Sequence, residues 1–110
     1  MNEKTNELTG DELLAALGAL ANPHRLRILA SLESNGRNYV SQLAREIGIS
    51  RPLLHLHLQK LERAGLVKSE LELSADGKAL NFFEITPFNL ALTPAAIAQA
   101  ALTLINNLEP

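Results

Sequence analysis

The side chains best equipped for recognition chemistry in this 110-residue chain lie close together: Arg51, His55, Gln59, Lys60 and Arg63. Arginine and glutamine present paired donors and acceptors that match the edges of bases. Lysine and arginine neutralise phosphates, and histidine serves either purpose. At 100° per residue, a helix over residues 52–64 turns Pro52, His55, Leu56, Gln59, Lys60 and Arg63 away from a stripe of Leu54, Leu58 and Leu61. Arg51 stands at the helix entrance. Leu56 is out of place on a polar face. It suits contact with thymine methyl groups, packing against a partner chain, or plain exposure.

The elements that must position this face are written around it. Leu43, Ala44 and Ile47 recur at helical spacing, and Gly48 stops that helix where a left-handed residue is needed. Ile49 packs inward across the turn. Ser50 caps the next helix through its hydroxyl, and Pro52 suits a first turn, where its missing N–H costs nothing. Gly65 ends the second helix, and Leu66-Val67 begins an extended segment. Two helices joined by so short a glycine-bearing turn form a helix-turn-helix, here over 41–64. In that geometry the second helix enters the major groove of duplex DNA.

Charge is distributed to match. The formal net charge is −2, which argues against a general polyanion binder. Residues 22–68 nevertheless hold eight Lys/Arg (Arg25, Arg27, Arg37, Arg45, Arg51, Lys60, Arg63, Lys68) against three Glu (Glu33, Glu46, Glu62). The acidic excess lies before and after them. Positive charge is thus concentrated where phosphates would lie.

The remaining chain divides into recognisable pieces of one domain. Thr9 and Glu12 fit a capping box opening a helix with Leu13, Leu14, Leu17 and Leu20. Pro23 opens a second helix over 23–32, with Leu26, Ile28, Leu29 and Leu32 inward. Behind the recognition helix, residues 66–86 read as a two-stranded wing. Its turn is Ser74-Ala75-Asp76-Gly77-Lys78, and Phe83 and Ile85 share one face. Lys78 at the tip is the wing's candidate DNA contact. Glu70, Glu72 and Asp76 limit it to modest backbone contact, and the wing serves either to complete the core or to enter the minor groove. Thr93-Pro94 begins a last helix over 94–107, too apolar for a small domain to cover. Residues 10–21 and 94–107 are the expected dimerisation helices, after a flexible segment 1–9. The fold class is mainly α with a β wing.

Several functions find no support in the residues. With no cysteine there is neither a disulfide framework nor a thiolate metal site. His55 and His57 point about 200° apart on a helix and cannot chelate one ion, while His24 is distant in sequence. His57 lies near the leucine stripe and reads as half-buried. No metal or other cofactor is expected. A phosphate loop and a nucleophile motif are both missing, so an enzyme is not expected. The polar start and the lack of a membrane-length apolar run point to a cytoplasmic protein with no membrane partner.

Three segments carry a family resemblance: LANPHRLRILASL (20–32), VSQLAREIGIS (40–50) and LHLHLQKLERAGLVKS (54–69). Together they resemble the ArsR-like winged-helix transcription regulators, particularly archaeal members of that broad group. The likeness spans roughly residues 13–85. It implies a homodimeric, repressor-like protein whose fourth helix reads duplex DNA. It also matches His57 to a histidine frequent in the group's recognition helix, and His55 to a position often held by serine. Metal sensors of the group use a Cys-x-Cys on the third helix, or His and carboxylate ligands on the last. Residues 39–43 have no cysteine, and the last helix offers only Glu109. The resemblance names no effector. A winged helix used for protein–protein contact, or for chromatin-like non-specific DNA binding, is the alternative.

Overall fold

The computed structural model describes residues 8–105. Five helices and three strands follow one another as α1 (Gly10–Leu20), α2 (Pro23–Asn35), β1 (Asn38–Tyr39), α3 (Val40–Ile47), α4 (Arg51–Arg63), β2 (Val67–Leu73), β3 (Ala79–Ile85) and α5 (Pro94–Ala101). The fold is a winged helix-turn-helix. Most of the expected flexible segment 1–9, and the end of the expected last helix, lie outside the described residues.

Local signals start each helix. Thr9 and Glu12 form the full capping box on α1. Asn22 caps α2 by accepting from the amides of His24 and Arg25, with Pro23 in the first turn. Thr93 accepts from Ala96 N to cap α5. The core lies between α2, α3, α4 and the sheet. Ile28, Leu43, Leu54, Leu58 and Leu61 are fully buried there, and Phe83 closes it from β3. Burying a side chain of this size stabilises the fold by roughly 1.5–3 kcal/mol.

Four features depart from the sequence reading. The sheet has three strands, in the order β1-β3-β2, rather than the expected two. Asn38 pairs with Phe83 and Tyr39 with Phe82, and the Tyr39 and Phe82 rings meet edge-on at 5.6 Å. Two residues are too few to show an alternating pattern. Leu26, expected inside, is 53% exposed. The buried face of α2 is Arg25, Ile28, Leu29 and Leu32, at i, i+3, i+4 and i+7; the arginine occupies the first inward position and turns Leu26 out. Arg25 is therefore not part of a surface basic patch.

The last helix ends at Ala101 instead of running to 107. Leu102, Thr103 and Leu104 each bond back three residues instead of four, which tightens the chain into turns. The Thr103 hydroxyl donates to Ala100 O and accepts from Gly10 N at 2.7 Å. Ile105 N donates to Asp11 Oδ2 at 3.0 Å. The end of the described chain thus meets one amide and one carboxylate at the start of α1. Gly10 makes this possible: a Cβ there would lie 2.5 Å from Ala100 O and 2.6 Å from Leu104 Cγ. Among the described residues, no helix is long and apolar enough to cross a membrane.

Candidate nucleic-acid interface

The turn between α3 and α4 is built by three adjacent residues. Gly48 takes the left-handed conformation (φ 83°, ψ 32°) and its amide donates to Ala44 O at 2.8 Å. Ile49 packs against the core. Ser50 Oγ accepts from Leu53 N at 3.2 Å, starting α4. This cap fixes where the helix begins, and hence which side chains face outward.

The outward side chains are those the rotation requires. Ser50, Arg51, Pro52, His55, Leu56, Gln59, Lys60 and Arg63 are all exposed, while Leu54, Leu58 and Leu61 are buried. Arg51, Lys60 and Arg63 make no ion pair with any described residue. Leu56 is 60% exposed, surrounded in sequence by polar neighbours. His57 faces inward, where its Nδ1 lies 3.0 Å from a guanidinium nitrogen of Arg25. It does not belong to the outer face.

Beside the entrance of α4 lies an open groove of about 440 Å³, lined by Ser41, Ala44, Arg45, Gly48, Ile49, Ser50 and Arg51. It joins two cations and two hydroxyls from both helices. Ser41 and Arg45 are absent from the sequence-derived site, although their spacing of four residues puts them on one side of α3. Arg45 donates to Gln42 Oε1. Glu46 is turned to the other side, where hydrogen bonds from Gln42 and Ser31 hold its carboxyl below the usual range.

The wing contributes differently. Lys78 is exposed at the hairpin turn, at the opposite end from the Val67–Ile85 pair that joins the core. Its amide donates to Ser74 Oγ at 3.1 Å, which closes the turn. Lys68 lies 3.9 Å from Glu84, and Arg37 reaches Glu72 at 2.7 Å while covering the Phe82 ring at 4.2 Å. Among the described residues, no group of three or more His, Cys, Asp or Glu side chains is placed to hold a metal ion.

Residues 20–70 match the helix-turn-helix domain family. An uncharacterised helix-turn-helix-type transcriptional regulator of Methanocaldococcus jannaschii is 47% identical over 55 residues, half of this chain and 57% of that protein. The homodimeric winged helix-turn-helix DNA-binding domain of a possible ArsR-family transcriptional regulator from Mycobacterium bovis superposes with a TM-score of 0.61. It shares 26% identity and covers 84% of this chain and 74% of that one. This chain has the winged helix-turn-helix fold and is similar to ArsR-family regulators. Reduced HlyU from Vibrio cholerae is also similar to this chain, with a TM-score of 0.59, 27% identity and 84% of each chain covered. The chain spans just over half of the archaeal relative's length.

Proposed function

We propose that this ArsR-like protein binds duplex DNA site-specifically as a homodimer and regulates transcription, most simply as a repressor in the cytoplasm or nucleoid. The observation that carries this reading is the outer face of α4. Its cap holds Arg51 at the mouth of the helix, and its three cations pair with no carboxylate among the described residues. In the docked complex α4 lies in the major groove. Arg51, His55 and Gln59 address base edges, Leu56 meets thymine methyls, and Pro52 packs at the groove's edge. Ser50, Lys60 and Arg63 take phosphates, joined by Ser41 and Arg45 across the groove. Lys78 adds one backbone contact from the wing. Neither an enzymatic activity nor a metal cofactor forms part of the proposal.

The dimer reading rests on α1 and α5. Leu14 and Ile97 on these helices, and Leu102, Leu104 and Ile105 just beyond α5, remain 46–83% exposed. Covering such a surface with a second copy would place two α4 helices for a pseudo-palindromic site. The relative from Mycobacterium bovis, described as homodimeric, supports this arrangement.

Binding of the purified protein to its own upstream DNA and to an unrelated duplex, across a salt series, tests the function. Tighter binding to the upstream fragment with a steep salt slope is expected. Equal binding to both fragments would leave a chromatin-like role. No binding at low salt would replace the reading with a protein-contact module.

A further inference from the structure

Arg25 and His57 are the buried polar side chains of the described core, each 8% exposed. Arg25 is fully engaged on one side. Its Nε donates to Ala19 O at 2.6 Å, and Nη2 reaches Gly18 O at 3.4 Å. On the other side Nη1 meets Nδ1 of His57 at 3.0 Å. Guanidinium nitrogens only donate, so Nδ1 must accept; the His57 ring is then neutral with its proton on Nε2. The His24 ring lies 5.3 Å from that of His57, tilted by 48°. His24 Nδ1 and His57 Nε2 are both buried without a hydrogen-bond partner among the described residues. The end of α1, the first turn of α2 and the middle of α4 therefore meet on one polar cluster inside an apolar core.

A second proton on His57 has nowhere favourable to go. On Nδ1 it would remove the acceptor from Arg25 and set two cations 3.0 Å apart in a low-dielectric site. The groups around the ring offer no relief. α1 presents the Gly18 and Ala19 carbonyls, already held by Arg25, and α2 presents Arg25 itself and His24. The charges that act on His57 are those of Arg25 and His24, with no carboxylate among them.

We propose that Arg25 and His57 are positioning residues for α4 and, with His24, form a proton-operated clamp that ties the recognition helix to the end of α1. The clamp's effect on DNA rests on the proposed role of α4; its effect on stability does not. Burial first, then Arg25, then His24, hold His57 below its ordinary 6.5. A depressed folded-state value means the neutral form is favoured by folding. The clamp's contribution is complete above 6.5, falls as pH drops through that value, and is lost once the folded value is passed. Exposed His55 lies on the DNA-facing side of α4, so a pH series on DNA binding would not report on His57 alone. Stability is therefore the cleaner readout, and DNA binding needs a His55→Gln background.

The test uses the full chain at about pH 8 and about pH 5, either side of the histidine range. NMR titration of the histidine rings should show His57 titrating below 6.5 and moving upward in His24→Gln. Urea unfolding should show wild type losing more stability than His57→Asn, whose amide oxygen offers Arg25 an acceptor that does not titrate. The expected difference is about tenfold in the folding constant per unit of depression. In His55→Gln, affinity for a short duplex should fall on acidification more than in His55→Gln/His57→Asn. Titration of His57 at or above 6.5, or equal stability losses, would overturn the clamp; if His57→Asn does not fold, the wild-type titration decides. Equal affinity losses would overturn its action on α4. Absence of DNA binding at pH 8 would reject the proposed function instead, with titration and unfolding still judging the clamp.

Discussion

The recognition helix and the wing hold the same kinds of residue and use them in opposite ways. On α4 the leucines Leu54, Leu58 and Leu61 are buried, and the cations Arg51, Lys60 and Arg63 are unpaired among the described residues. On the hairpin, Leu71 and Leu73 are 67% and 75% exposed, while Lys68 lies beside Glu84 and Glu72 receives Arg37. An element backed by a core can send its apolar side chains one way and leave its charges to a ligand. A hairpin that extends past the core has no second layer to cover its leucines, and Lys68, Glu72 and Glu84 on it are taken up in ion pairs. A lysine or arginine in a sequence is therefore not yet an available cation.

This contrast can be broken at several points. The largest effect is expected at Leu54→Ala, which removes a fully buried side chain and should cost about 2–5 kcal/mol of stability. Leu73→Ala on the wing should change it by less than about 0.5 kcal/mol. Urea unfolding of the two variants compares them directly, and equal losses would show that the wing is as deeply anchored as α4. Arg51→Ala and Gln59→Ala should each weaken specific DNA binding by about 1–3 kcal/mol while leaving unfolding nearly unchanged. Fluorescence anisotropy on a specific duplex measures this; unchanged affinity would remove α4 from base readout. Ser50→Ala should cost about 1 kcal/mol of stability by uncapping α4. A cap worth nothing would mean that packing alone sets where the helix starts. Lys78→Ala should be the mildest, lowering the salt slope by about one or less with little change in sequence preference. A larger loss would make the wing an equal partner in binding.

The outer face of α4 was legible because it obeys two local rules. Leu54, Leu58 and Leu61 set the inward direction, and Ser50 and Gly48 fixed the start. The capping box at Thr9 and the proline at residue 23 worked for the same reason. What escaped was non-local. Nothing near Arg25 in sequence marks it as a core residue; its partners are carbonyls on α1 and a ring on α4 that only folding assembles. His24 and His57, 33 positions apart, become ring neighbours through the same packing. The strand at Asn38–Tyr39 exists because β3 lies alongside it. The early end of α5 depends on Thr103 bonding to Gly10, across 93 residues. Ser41 and Arg45 were visible as helix neighbours, but the groove they share with Ser50 and Arg51 required both helices.

The glycine at residue 10 also imposes an order of events on a chain made from its N-terminus. Its amide is satisfied by the Thr103 hydroxyl, and the space a side chain would fill is taken by Ala100 and Leu104. The first helix can coil as soon as it is synthesised, yet its opening turn acquires its neighbours only when almost the whole domain has left the ribosome. The helix made earliest is thus among the last to be finished, and the surface it forms with α5 does not exist on a partly made chain.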